Sequence, residues 1–260
     1  MGDPIGEKLP RGVAADLSTS APEYVPNSAT RVIASVLGVL LGVSSINHGI
    51  LETLQGNRPT QGLVVKALGS GYNWTVWTQG SEPAFTLVPN FLLTGLIATL
   101  IGLLMILWSL RFLQKSYGPT VFLLLGVTSF LTGGGMAQVL LFTLNWLVAT
   151  RIRASLGLWR WLIPRPLCRV LGGIWRWTLA ASAILFLSAL EIAVIGYIPG
   201  VPSQPELLRR ILMFQLAPAI VLSMLLTFLS GFAHDIEVRR SAYPAARIVP
   251  HGSRIPKTWH

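Results

Sequence analysis

Residues 45–57, SINHGILETLQGN, place an imidazole and a carboxylate one helical turn apart. If this stretch is helical, Ser44, His48 and Glu52 recur every four residues, so their side chains share one helix face. Imidazole and carboxylate groups bind Zn, Fe or Mn, and they also accept and release protons. This face is therefore the first candidate for a chemical site.

A second polar group, AHDIE, contains His234 and Asp235 near the end of the last long apolar run. His48, Glu52, His234 and Asp235 are the candidate metal ligands, and His48, Glu52 and His234 are the candidate catalytic residues. A transition metal held by these residues would activate water, or the two histidines would ligate a haem. None of the spacings has the specificity of an H-E-x-x-H motif, and purely structural roles are the competing interpretation.

Two further polar residues, Gln138 and Glu191, fall inside apolar runs. Charged and strongly polar side chains are costly in hydrocarbon, so those that occur there often line a path for protons or ions. Glu191 lies near the middle of its predicted span and is the strongest candidate for such a path. Gln138 is the second candidate.

The elements that must hold these residues are membrane helices. The chain has 260 residues, of which 52% are hydrophobic and 12% charged, against about 25% charged in an ordinary soluble domain. Several apolar runs reach roughly 20 residues, the length that crosses the hydrocarbon of a bilayer as a helix. They lack the two-residue alternation of barrel strands. The predicted fold class is all-α, a polytopic integral membrane helical bundle.

We predict a single transmembrane domain, residues 31–237, between a disordered N-terminal tail, residues 1–30, and a basic C-terminal tail, residues 238–260. Gly118 and Pro119 separate two of the spans by a tight turn, and Pro218 predicts a kink in the last one. The GGG of residues 133–135 is expected to allow close helix packing. The about five predicted spans are residues 32–54, 91–113, 120–148, 178–198 and 208–236.

Two segments between spans are expected to lie on the membrane surface. The first loop, residues 57–90, holds Tyr72, Trp74 and Trp77, which favour the headgroup region, and a re-entrant loop is the alternative. Residues 151–177 combine six arginines with several tryptophans, a composition typical of an interfacial segment that binds anionic lipid headgroups. A basic groove for an anionic ligand is the alternative there.

The number of spans determines where each polar group lies. We name the side on which the N-terminus lies side A and the opposite side side B. With five spans, side B receives His48, Glu52, Glu82 and the AHDIE group, together with most of the Lys and Arg residues of the loops. The positive-inside rule then predicts an external N-terminus and a cytoplasmic C-terminus, in a bacterial or archaeal cytoplasmic membrane.

Three functions compete at this point, and the sequence does not decide whether the protein is an enzyme. The favoured interpretation is an accessory or partner-binding membrane subunit that contacts other membrane subunits or a second copy of itself. The alternatives are a metal- or haem-binding protein or enzyme, and a small proton- or ion-linked transporter. Nucleic acid is not an expected partner, because the net charge of +10 is carried by loops that flank apolar spans. Cys168 is the single cysteine, which excludes a CxxC metal site.

Overall fold

The computed structural model describes residues 27–66, 83–194 and 206–242. This part of the chain is mostly helical, with a small antiparallel sheet at one end of the bundle. The elements in chain order are α1 (Ser28–Thr53), β1 (Val64–Lys66), β2 (Pro83–Thr86), α2 (Phe91–Arg111), α3 (Gly118–Leu131), β3 (Thr132–Gly135), α4 (Gln138–Ala149), α5 (Gly157–Leu162), α6 (Arg165–Val194) and α7 (Glu206–Ala242).

Within the described residues, four helices are long and apolar enough to cross a membrane: α1, α2, α6 and α7. The helical membrane class is therefore supported. The predicted third span is different, because residues 120–148 do not form one continuous helix. They form two shorter helices, α3 and α4, with β3 between them.

Helices α3 and α4 form a hairpin that begins and ends on side A. The chain reverses at the TGGG of β3, where Gly133 has a φ of +100°, a conformation that glycine adopts readily. Phe122 then stacks on Phe142, with ring centroids 4.8 Å apart. At the end of α4, the backbone oxygen of Ile152 accepts a hydrogen bond of 3.0 Å from the N–H of Asn27, at the start of α1. The prediction of a single span over residues 120–148 is wrong because the three glycines make a turn.

Helix α7 runs antiparallel to α1, so that its C-terminal end also lies on side A. The carboxylate of Asp235 accepts hydrogen bonds from the backbone N–H groups of Ala29 and Thr30, at 3.0 and 2.9 Å. Helix α6 packs antiparallel to α7, with Thr178 hydrogen-bonded to Ser230 and Ser182 to Thr227. The expectation that the AHDIE group lies on side B is therefore wrong.

Helices α1 and α2 pack closely through small residues. Gly49 lies against the backbone of Gly95, and Gly42 lies against the backbone of Gly102. A side chain at any of these positions would overlap the neighbouring helix, so the absence of a Cβ lets the two backbones approach. This packing fixes α2 antiparallel to α1, with the first turn of α2 beside the last turn of α1.

The three strands connect the first loop to the tip of the α3–α4 hairpin. Strand β2 pairs with β1 through Val65 and Ala84, and with β3 through Ala84 and Gly135. This pairing gives hydrogen-bond partners to backbone groups at the hairpin tip, which irregular backbone needs when it is buried near the membrane. Several predicted features lie outside the described residues: the interfacial Tyr72, Trp74 and Trp77, the side B residue Glu82, and the parts of the two tails at residues 1–26 and 243–260.

The basic segment that follows α4 is shorter than predicted. Helix α6 begins at Arg165, so the second half of the predicted interfacial segment, residues 151–177, belongs to a membrane-length helix. The first half contains the short helix α5, and the ring of Trp159 packs on Phe232 of α7, with centroids 4.9 Å apart. The arginines from Arg151 to Arg169 therefore lie on side A, whereas Arg176 lies further along α6.

Candidate functional site

A buried polar junction lies on side B, where α1 ends, α2 begins and the hairpin tip is paired to β2. Glu52 is 0% exposed and His48 is 4% exposed. The carboxyl group of Glu52 lies directly against Gly133, where any added Cβ would overlap it. Gly133 therefore meets two requirements, the positive φ of the turn and the space that the carboxyl occupies.

Threonine hydroxyls surround the carboxyl of Glu52. The hydroxyl of Thr94 on α2 faces this carboxyl, donates to the backbone oxygen of Thr132 at 2.9 Å and is paired with the hydroxyl of Thr86 at 2.7 Å. Neither carboxyl oxygen of Glu52 has a hydrogen-bond partner of proper geometry in the described part of the chain. Burying an unpaired carboxylate costs several kcal/mol, and a bound proton or cation removes most of that cost.

The polar face of α1 continues from this junction towards the middle of the bundle. Ser45 pairs with Ser129 of α3 at 2.9 Å and donates to the backbone oxygen of Ala98 at 3.1 Å. Gln138, at the start of α4, donates to Ser44 at 2.8 Å. The face predicted from the four-residue spacing is thus buried against the hairpin, and Gln138 belongs to it.

An apolar layer interrupts these polar contacts nearer to side A. Leu37 and Leu41 of α1 are almost fully buried and belong to the same core cluster as the stacked pair Phe122 and Phe142. Beyond this layer, Asn145 is 0% exposed and donates to the backbone oxygen of Ala34 at 3.1 Å. Polar groups therefore occur on both sides of the layer but do not pass through it.

The second predicted half of the site lies elsewhere. Asp235 contacts the first turn of α1, whereas His48 follows about 18 residues later, which places the two roughly 27 Å apart along the helix. His234 lies beside Asp235, with Nδ1 3.1 Å from the backbone oxygen of Gly172 and the ring 5.4 Å from that of Trp175. A shared site of the span-one and span-five residues is therefore not formed.

The proposed metal and haem chemistry loses its geometric basis with this separation. His48 and His234 are too far apart to ligate one haem iron, and His48, Glu52, His234 and Asp235 do not converge on one point. Among the described residues, no group of three or more His, Cys, Asp or Glu side chains is arranged to hold a metal ion.

Asp235 is explained by the helix end that it contacts. Its carboxylate accepts from two backbone N–H groups and, at 2.7 Å, from the hydroxyl of Thr30. The first N–H groups of a helix have no partner within the helix, and the positive end of the helix dipole favours a carboxylate. Asp235 therefore connects α7 to α1.

Glu191 is not in the polar face of α1. It is exposed on α6. Because α6 begins at Arg165 and not near residue 178, Glu191 is about 26 residues into the helix, roughly 39 Å from its start. Glu191 therefore lies near the end of the described part of α6 and not midway along it, and the described structure gives Glu191 no contact with Gln138 or Glu52.

The residues that sequence reasoning missed are those contributed by neighbouring elements. The glycines at 133–135 predict close helix packing, and no local pattern distinguishes Thr94, Thr86 or Ser129 from other residues of the apolar runs. The signal for Gly133 was present in TGGG, because three glycines in an apolar run also favour a turn.

No protein-family model, curated protein or solved structure matches this chain.

Proposed function

We propose that this protein moves protons across the membrane and that Glu52 is the carboxyl that binds and releases the proton. The observation that carries the proposal is the fully buried carboxyl of Glu52 at the tip of a broken helical hairpin, with no hydrogen bond of proper geometry to its oxygens in the described part of the chain. Binding a proton neutralises this carboxyl without any further ligand. The proton path predicted from the sequence is thus retained, with Glu52 in place of Glu191.

The location of Glu52 in α1 supports this role. It lies in the last turn of the helix, where the unsatisfied carbonyl groups make the helix end partially negative. A negative charge there is unfavourable, so the carboxyl gains most when a proton or another cation neutralises it. His48, one turn earlier on the same buried face, is a second group that can carry a proton.

The hairpin supplies a movable element next to the carboxyl. Discontinuous helices at the depth of the binding site are a common device of membrane transporters. In this chain, α3 and α4 are separated by Gly133, and the tip is attached to β2 through a short ladder with an irregular register. A shift of this tip would change which side of the membrane Glu52 can exchange protons with.

The apolar layer favours gated movement of protons and argues against an open channel. Leu37, Leu41, Phe122 and Phe142 separate the side B polar groups from Asn145, so the described conformation has no continuous polar path along this face of α1. Proton movement then requires a conformational change. Slow, carrier-like flux is expected.

Proton flux into liposomes tests the proposal. Purified protein is reconstituted with a pH-sensitive dye inside the vesicles, and a potassium diffusion potential drives proton entry. We expect flux above that of protein-free vesicles, and a loss of roughly tenfold or more in Glu52→Gln, since the amide cannot release a proton. Glu191→Gln is the matched control and should keep the wild-type flux.

Two results would contradict the proposal. One is wild-type flux equal to that of empty vesicles. The other is flux that survives Glu52→Gln. If Glu191→Gln removes the flux while Glu52→Gln keeps it, the path is the one first predicted from the sequence, along α6.

The accessory-subunit function remains a prediction, and one observation favours it. Helix α2 presents a column of exposed leucines that includes Leu96, Leu100, Leu103 and Leu107. Such a surface suits lipid as well as another transmembrane helix. Crosslinking of the protein in native membranes, followed by comparison with Leu100→Trp, would show whether this column contacts a second polypeptide.

We also propose that side A faces the cytoplasm, which reverses the orientation predicted from five spans. The described basic residues concentrate on side A, and the support is the positive-inside rule applied to the corrected helix directions. Side B has Arg58 and Lys66 in the first loop, and Arg209 and Arg210 near the start of α7. Side A has Arg31, Arg111, Lys115, Arg151, Arg153, Arg160, Arg165, Arg169, Arg239 and Arg240.

Labelling of introduced cysteines tests the orientation. In a Cys168→Ser background, which has no other cysteine, Lys66→Cys and Lys115→Cys place single thiols on sides B and A. A membrane-impermeant maleimide added to intact cells should label the Lys66→Cys variant. It should label the Lys115→Cys variant only after the membrane is permeabilised. The opposite pattern would restore the external N-terminus.

A further inference from the structure

A polar cavity of about 290 Å³ lies on side A between the first turns of α1 and the end of α2. It is separate from the junction at Glu52, which lies at the other end of α1. The polar residues that line it are Arg31, Ser35, Ser109, Arg111 and Gln114. No acidic residue is among the described residues that line it, and two guanidinium groups give this lining its positive charge.

One of these guanidinium groups is fixed in position. Nη1 of Arg31 donates to Oε1 of Gln114 at 2.7 Å, and Arg31 is only half exposed. A guanidinium group has five N–H donors in a planar fork, so one hydrogen bond leaves others directed elsewhere. Arg31 is thus pre-oriented at the edge of the cavity, which lowers the entropy lost when it binds an anion.

Ser109 borders the cavity but does not direct its hydroxyl group into it. Ser109 is 1% exposed, and its Oγ has no hydrogen-bond partner among the described residues. Buried hydroxyl groups without a partner are uncommon in folded proteins and call for an explanation. This Oγ lies against Gly38 of α1, so the hydroxyl is enclosed between the two packed helices and does not open into the cavity.

The remaining walls are apolar and lead to the lipid-facing surface. Val32, Val36 and Leu110 line the cavity, and Leu110 is 63% exposed. One turn further into the membrane, the exposed Leu107 and Leu103 continue this surface along α2. A ligand with an anionic head and an apolar tail would therefore place both parts in matching surroundings.

We infer that this cavity binds the phosphate group of an anionic lipid headgroup, with Arg31 and Arg111 as the charge partners and Gln114 holding Arg31 in position. Arginine binds phosphate through charge-assisted hydrogen bonds, and basic pockets between transmembrane helices are suited to such headgroups. This site differs from the surface predicted at residues 151–177, because it is a cavity between two packed helices. Soluble phosphate shares the headgroup chemistry but lacks the tail.

Lipid binding to the detergent-purified full chain tests the inference. Phosphatidylglycerol is titrated against wild type and against Arg31→Gln/Arg111→Gln, and bound lipid is counted by native mass spectrometry. We expect roughly tenfold or more weaker binding in the double variant, because two charge-assisted hydrogen bonds are lost. Arg58→Gln/Lys66→Gln removes the same number of positive charges from residues that line neither the cavity nor the surface predicted at 151–177, and it should bind as wild type does.

Three further measurements separate a built site from general attraction. Gln114→Ala removes the hydrogen-bond partner of Arg31 without changing charge and should weaken binding severalfold, which keeps the inference testable if the double arginine variant does not fold. Phosphatidylcholine should bind weakly, and inorganic phosphate should not displace phosphatidylglycerol at equal concentration. Equal loss in the two double variants, an unaffected Gln114→Ala together with an unaffected Arg31→Gln/Arg111→Gln, or displacement by inorganic phosphate would overturn the inference.

Discussion

A buried carboxyl group lies at each end of α1, and the two groups differ in the hydrogen bonds that they accept. Asp235 is 3% exposed and accepts hydrogen bonds from Ala29, Thr30 and the Thr30 hydroxyl. Glu52 is 0% exposed, and neither of its oxygens accepts a hydrogen bond of proper geometry within the described residues, because the Thr94 hydroxyl that faces it donates to Thr132. Burial is nearly the same, so burial alone does not separate a structural carboxyl from a functional one. The hydrogen bonds to the two carboxyl groups make this distinction.

The helix dipole sharpens this contrast. Asp235 lies at the N-terminal end of α1, where the field of the helix favours a negative charge. Glu52 lies at the C-terminal end, where the field opposes one. The first carboxyl is stabilised as an anion by the fold, whereas the second depends on something that the fold does not supply. We therefore expect substitutions of Asp235 to affect mainly stability and substitutions of Glu52 to affect mainly proton transport.

The largest effect on stability is expected from Asp235→Ala. It leaves the buried N–H groups of Ala29 and Thr30 and the Thr30 hydroxyl without acceptors, and it removes the connection between α7 and α1. The free energy of unfolding should fall by about 3 kcal/mol or more. Thermal unfolding in detergent micelles measures the change.

Glu237→Ala is the matched control for that substitution. It removes a carboxylate two residues later on α7, which forms a partly exposed pair with Arg240 at 2.8 Å. Such pairs contribute below about 1 kcal/mol, so the midpoint of unfolding should hardly move. Equal losses at both positions would show that the contact of Asp235 with α1 contributes no more than a surface ion pair.

The sequence was informative about α1 and misleading about α7, for one physical reason. Helical spacing is local, so Ser44, His48 and Glu52 could be assigned to one buried face without knowledge of the rest of the chain. The direction of α7 depends on how many spans precede it. Interpreting residues 120–148 as one span changed that number, and every later element was placed on the wrong side.

The partners of the two carboxyl groups could not be predicted from local patterns either. Asp235 binds N–H groups about 200 residues earlier in the chain, and backbone groups carry no sequence signature. Gly133 meets Glu52 only because β3 pairs with β2 and the hairpin tip is held beside α1. These are consequences of tertiary packing, which overrides what composition indicates.

The second largest effect is expected at the Glu52 end, from Gly133→Ala. The new Cβ would overlap the carboxyl of Glu52, and the φ of +100° strains any other residue. Gly56→Ala is the control, because Gly56 also has a positive φ, of +80°, but nothing within 4 Å of the added Cβ. We expect a loss of about 1 kcal/mol for Gly56→Ala and about 2–3 kcal/mol for Gly133→Ala.

Thermal unfolding of both alanine variants, together with Gly133→Ala/Glu52→Ala, isolates the contact with the carboxyl. Shortening Glu52 should recover the part of the loss that exceeds the Gly56→Ala value, because the overlap disappears while the strain in φ remains. If the double variant is no more stable than Gly133→Ala, the hairpin tip does not press on Glu52, and the proposed coupling between the two is unsupported.

The smallest effect on stability is expected from Glu52→Gln, and it completes the comparison. Replacing an unpaired carboxyl by a neutral amide of the same shape removes no hydrogen bond, so the free energy of unfolding should change by less than about 1 kcal/mol. Asp235→Asn keeps one acceptor and loses the charge, and we expect it to cost about 1–2 kcal/mol. A larger loss in Glu52→Gln than in Asp235→Asn would mean that Glu52 has a structural partner. Stability that is unchanged while proton flux is lost would separate the functional end of α1 from the structural one.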